Sequence, residues 1–115
     1  MFGKSKAEIK DTDSAYVKSR VEGYMPFAVV DVRTREEYEK SHIPEAIQMA
    51  FDDLKKEAKK SFKTDEEIIV YSSTEAEARK AAEQLKNLGF KDIKVFALGL
   101  QGWKEAGNGL KAGFF

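Results

Sequence analysis

The stretch Ile68-Ile-Val-Tyr71-Ser72-Ser-Thr-Glu-Ala-Glu-Ala78 decides the architecture. Its first four residues form a short β-branched run closed by an aromatic, which suits a strand buried on both faces. Directly after it, residues 75–88 carry Ala78, Ala81, Ala82, Leu85 and Leu88 on one helical stripe, and Gly89 supplies a stop. A strand that passes through a short polar loop into an amphipathic helix is a building block of a parallel sheet. Ligands of such sheets sit beyond the carboxyl ends of the strands, so the loop after Tyr71 is the place to inspect.

The same grammar extends in both directions. Phe27-Ala-Val-Val-Asp31 and Ile93-Lys-Val-Phe96 read as two further strands, Ala46–Met49 as a weaker one, and Glu8–Lys10 as an edge strand. Asp11 to Asp13 offer N-cap candidates for a helix carrying Tyr16, Val17 and Val21, with Gly23 where it would stop. Arg35 to Lys40 reads as a charged turn anchored by Tyr38. Phe51, Leu54 and Ala58 are spaced as one short helix. Gly99, Gly102, Gly107, Gly109 and Gly113 make the carboxyl end turn-rich before an apolar Phe114-Phe115 tail. The expectation is one α/β domain over residues 1–115.

Composition narrows the function. A chain of 115 residues builds about one core. Its 20 basic and 20 acidic residues cancel, which gives no support for nucleic acid or an anionic membrane as partner. The apolar runs Met25–Val30 and Ile68–Tyr71 fall far short of the roughly 20 residues a spanning helix needs, and the amino terminus does not resemble a signal peptide. A soluble cytoplasmic protein is the expectation. The chain has no cysteine. Disulfides, thiolate metal sites and cysteine nucleophiles are thereby excluded within it.

Four segments together resemble the rhodanese-like (sulfurtransferase) domain. They are Asp31-Val-Arg33 followed by Glu36-Glu-Tyr38; Tyr38-Glu-Lys-Ser-His42-Ile-Pro44-Glu-Ala46, close to the family's aromatic-x-x-x-His-Ile-Pro-Gly-Ala signature; the strand, loop and alanine-rich helix ending Leu88-Gly-Phe90; and Val95-Phe-Ala-Leu-Gly99-Leu-Gln-Gly102-Trp103, close to a Gly-Gly-x-x-Gly-Trp ending. The resemblance is strongest over residues 27–106. It implies a three-layer fold, a mostly parallel five-stranded sheet with helices on both faces. Asp31, Arg33, His42 and Trp103 would then be supporting motif residues rather than reacting ones.

The resemblance also implies a sulfur-accepting cysteine directly after the strand, in a loop whose backbone N–H groups face the sulfur and which usually carries a glycine and an arginine. Here the loop reads Ser72, Ser73, Thr74, Glu75, Ala76, Glu77. Ser72 stands at the cysteine position, Glu75 at the glycine and Glu77 at the arginine. A hydroxyl cannot form a persulfide, and two acids would repel thiosulfate. The expectation is therefore a catalytically silent module that binds a partner, regulates or serves a structural role, with no cofactor and no metal. The alternative is a thiosulfate or persulfide sulfurtransferase whose nucleophilic cysteine has been replaced by Ser72.

The loop also reads as plain helix capping. Thr74-x-x-Glu77 fits a capping box, and Ser72-x-x-Glu75 is the same pattern two residues earlier. Either register would fill N–H groups that an active loop leaves for its substrate.

Other chemistries fit less well. Ser72 as a hydrolase nucleophile lacks the Gly-x-Ser-x-Gly elbow, and the single histidine, His42, belongs to the His-Ile-Pro element. His42 has no second histidine to complete a metal site. A phosphatase of the same fold would need the absent cysteine and loop arginine. Arg33 and Arg35 could pair with Glu36, Glu37 or Glu39. Trp103 reads as core, with its N–H on a backbone carbonyl. The lysines at 55, 56, 59, 60 and 63 read as a solvated helix face that could dock an acidic protein.

Overall fold

The computed structural model describes residues 8–23 and 27–113. In chain order the elements are β1 (Ile9–Thr12), α1 (Ser14–Val21), β2 (Ala28–Asp31), α2 (Arg35–Lys40), β3 (Ile47–Gln48), a 3-10 turn at Phe51–Asp53, α3 (Leu54–Ser61), β4 (Glu67–Tyr71), α4 (Glu75–Asn87), β5 (Asp92–Phe96) and α5 (Gly99–Glu105). The Phe114-Phe115 tail and the start of the Met25–Val30 run lie outside the described residues.

The five strands form one sheet in the order β1-β5-β4-β2-β3, and every pairing is parallel. β4 lies at its centre, fully buried, as a continuous apolar run requires. Its register sets Ile68 beside Ala28 and Ile93, and Val70 beside Val30 and Val95. These alternate residues face a core closed by Leu54 and Ala58 of α3 and by Ala78, Ala81, Ala82 and Leu85 of α4. The opposite set, Val29, Ile69, Tyr71 and Phe96, meets Val17 of α1, Tyr38 of α2 and Trp103 of α5. Helices thus cover both faces, as expected from the sequence.

Local signals account for most boundaries. Asp13 is the N-cap of α1 and accepts the Tyr16 N–H. The edge strand runs Ile9–Thr12, later than Glu8–Lys10, because its partner residues Ile93–Phe96 set its extent. The segment 35–40, expected among the helical segments as a charged turn, is a helix of six residues. The reason is a complete capping box: the Thr34 hydroxyl accepts the Glu37 N–H, and Glu37 returns a carboxylate to the Thr34 N–H.

Between β2 and β3 the chain reverses at Ile43-Pro44-Glu45-Ala46, closed by an Ala46 N–H bond to the Ile43 carbonyl of 3.0 Å. Glu45 has a φ of 70°. Pro44 cannot take positive φ, so this is a type II turn, whose third residue is normally glycine. Glycine is the residue that the resembling signature has at this position.

Candidate functional site

β2 and β4 end side by side, with Asp31 paired in register with Tyr71. Both chains then turn off the sheet and leave an open cleft of about 500 Å³. Val32, Arg33, Glu37, Phe51, Ser72 and Glu77 are among the residues that line it. The loop 72–77 thus lies where a parallel sheet presents a site.

Behind the cleft is a buried polar frame. Asp31 is fully buried and forms a two-pronged ion pair with Arg33, with contacts from Nε and Nη2 of 2.7 to 3.2 Å. It also accepts the Arg33 backbone N–H at 2.9 Å and the Tyr71 hydroxyl at 2.6 Å. Tyr71 in turn accepts the Ile43 N–H. Burial, followed by the Asp31 charge and hydrogen bond, pushes the Tyr71 hydroxyl well above the usual phenol range, so it stays a neutral donor. Arg33 reaches onward to the Ser41 carbonyl at 2.7 Å. Its charge is therefore matched by Asp31, and not by Glu36, Glu37 or Glu39 as the spacing suggested. Arg35 does pair with Glu39, at 3.0 Å.

His42 belongs to this frame. Its Nδ1 lies 2.8 Å from the Tyr38 carbonyl, and its ring stacks on Tyr38 at 3.7 Å and 4°. A carbonyl only accepts, so Nδ1 carries the hydrogen. The Tyr38 hydroxyl donates to the Ala46 carbonyl. Trp103 is buried and donates Nε1–H to the Gly109 carbonyl at 2.7 Å. Among the described residues, no three acidic or histidine side chains gather as metal ligands.

Ser72 emerges from β4 nearly buried, and its hydroxyl donates to Glu77 at 3.3 Å. Ser73 donates to Glu37 of α2 at 3.2 Å. Thr74 is the N-cap of α4 and accepts the Glu77 N–H at 3.2 Å. Only half of the expected box forms at Thr74-x-x-Glu77, since the Glu77 carboxylate bonds to Ser72. The earlier register, Ser72-x-x-Glu75, does not form: Glu75 binds Arg79 at 2.8 Å. The helix geometry explains this, because Glu75 and Arg79 are one turn apart on an exposed face. Ala76 is exposed beside them.

Glu37 was expected only as an ion-pair partner, yet it is central. The Thr34 backbone N–H, working against partial burial and helped by the Thr34 and Ser73 hydroxyls, holds its carboxyl below the usual carboxylate range. Glu37 and Glu77 therefore bring two carboxylates to the mouth of one cleft from two helices. Gly99 supports the loop from behind. It has a φ of 55°, and a Cβ there would stand 2.8 Å from the Ser72 carbonyl oxygen.

Comparison with known proteins agrees with this fold. The family model described as the rhodanese-like domain matches residues 13–106. The chain belongs to the rhodanese-like domain family. It is a member without cysteine. It is 33% identical over 87 residues to YrkF of Bacillus subtilis, a protein named as a sulfur carrier, covering 75% of this chain and 46% of YrkF. The chain spans less than half the length of the curated relatives it matches. Its structure resembles that of Alr3790 from Anabaena sp. (TM-score 0.86, 30% identity, 90% of this chain and 94% of that one). It also resembles thiosulfate sulfurtransferase from Pseudomonas aeruginosa (TM-score 0.85, 26% identity, 91% of this chain and 20% of that one).

A second polar cluster lies at the other end of the sheet, and sequence reading did not find it. Glu67, buried at the start of β4, accepts Arg20 Nε at 2.7 Å, Lys94 Nζ at 2.8 Å and the Tyr16 hydroxyl. Tyr16 and Glu67 alone are 51 positions apart in sequence. The one signal was an acid at the head of an otherwise apolar strand. No helix among the described residues is long and apolar enough to cross a membrane.

Proposed function

We propose that this protein is a catalytically silent rhodanese-like module whose role is to bind another protein. The observation that carries this reading is the state of Ser72. At the position where the family places its sulfur acceptor, a hydroxyl is held by Glu77 in a chain with no cysteine. Sulfur transfer needs a thiolate that can attack a sulfane donor and hold the sulfur as a persulfide. A serine oxygen offers neither step. The acids at 37 and 77 add a charge that opposes an anionic donor.

The test is thiosulfate-to-cyanide sulfur transfer by four proteins: the unaltered chain, Ser72→Cys, Ser72→Cys with Glu77→Arg, and Ser72→Cys with Glu75→Gly and Glu77→Arg. The expected result is no transfer by the first two and measurable transfer only once the loop charge is reversed. Activity of the unaltered chain would overturn the reading. Activity with Ser72→Cys alone would favour the alternative, a sulfurtransferase that has lost only its nucleophile.

A further inference from the structure

We propose that the cleft beside Ser72 receives an arginine side chain of a protein partner. This deepens the reading of a silent binding module and rests on it. The cleft of about 500 Å³ combines two features that suit such a group. Part of its lining is apolar: Val32, and Phe51 with 41% of its surface exposed. A large aromatic left this open beside a polar cavity offers its face to an aliphatic stem or a planar cation. The lining also includes Glu37 and Glu77, whose carboxylates are oriented by hydroxyls of the adjacent residues Ser73 and Ser72.

Charge complementarity identifies the occupant. Arg33, which also lines the cleft, is held by the buried Asp31, and although its charge also reaches Glu37, the three carboxylates of Asp31, Glu37 and Glu77 outnumber it. Each carboxylate oxygen can accept two hydrogen bonds, so both groups can take an incoming N–H donor. A guanidinium is a planar fork that can bond to carboxylates on two helices while stacking on Phe51; an ammonium is a compact point charge. Lys80 lines the same cleft on α4, one turn beyond Glu77. It opposes an incoming cation and provides an independent handle on the electrostatics.

The test is a two-dimensional amide NMR titration of the full chain at low salt with N-acetyl-arginine methylamide. N-acetyl-citrulline methylamide, of the same shape without charge, and thiosulfate are titrated in parallel. The arginine probe is expected to give saturable shifts at the amides of residues 34–37 and 72–77. The citrulline probe, and the double variant Glu37→Gln with Glu77→Gln, should each bind about fivefold more weakly, the scale set by exposed charge pairs. Lys80→Glu, an exposed change on a helix surface, should tighten binding about two- to threefold. Amide dispersion reports whether each variant is folded. Equal binding of arginine and citrulline, or no response to the Glu and Lys80 variants, overturns the proposal. No shift with either arginine or thiosulfate overturns it alone and leaves the silent reading standing. Saturable thiosulfate shifts at residues 72–77 overturn both.

Discussion

Replacing Glu45 by glycine should stabilise this protein. Glu45 is the one residue other than glycine with positive φ among the described residues, at 70°. In the left-handed region a Cβ crowds the following carbonyl and costs about 1–2 kcal/mol. Glycine avoids that cost but loses more backbone freedom on folding, about 0.5–1 kcal/mol. The side chain is exposed, so little packing is lost. The net expectation is a gain of about 0.5–1 kcal/mol. For a domain of this size that corresponds to a rise in melting temperature of about 2–6 °C. Guanidinium denaturation should show a higher midpoint with an unchanged slope. Glu45→Ala is the control, because it removes the carboxylate but keeps the Cβ, and its midpoint should stay near that of the unaltered chain. A glycine variant no more stable than the unaltered chain would refute the strain argument. An equal gain in Glu45→Ala would assign the effect to charge instead.

Three further perturbations probe the frame of the site. Gly99→Ala should cost about 1–3 kcal/mol, since φ is 55° and the new Cβ would stand 2.8 Å from the Ser72 carbonyl oxygen; unchanged thermal stability would contradict the contact. Asp31→Ala leaves the Arg33 guanidinium buried without its carboxylate and should cost about 3–5 kcal/mol in denaturant unfolding; a loss below about 1 kcal/mol would mean that Arg33 finds solvent. Burial disfavours the charged form of Glu67, but hydrogen bonds from Lys94, Tyr16 and Arg20 outweigh it and hold its carboxyl below the usual range. Its folded pKa is thus lower than its unfolded value of about 4.3, so its stabilisation is complete above that pH and is lost as pH falls through the folded value. The stability gap between the unaltered chain and Glu67→Gln should therefore narrow on acidification from about pH 6 to pH 3, and a constant gap would contradict the ion cluster.

Much of the architecture could be read from sequence because it depends on near neighbours. The apolar runs at 28–30, 68–71 and 93–96 leave few alternatives to buried strands, and the stripe from Ala78 to Leu85 leaves few alternatives to a helix against a sheet. The absence of any thiol from the loop after β4 was equally legible. The segment 35–40 was legible only as a charged turn among the helical segments because its stability resides in reciprocal Thr34 and Glu37 bonds, not in apolar spacing. The second capping register failed because Glu75 has Arg79 one turn away.

By itself the sequence determined that this is a rhodanese-like α/β domain and that its chain holds no cysteine. Both follow from residue type and local order. Tertiary structure decided what the loop became instead. Glu37 joins Ser73 across 36 positions, and Tyr71 joins Asp31 across 40. These partnerships depend on β2 lying beside β4, since only that adjacency brings the two strand ends, and the carboxylates that follow them, to one cleft.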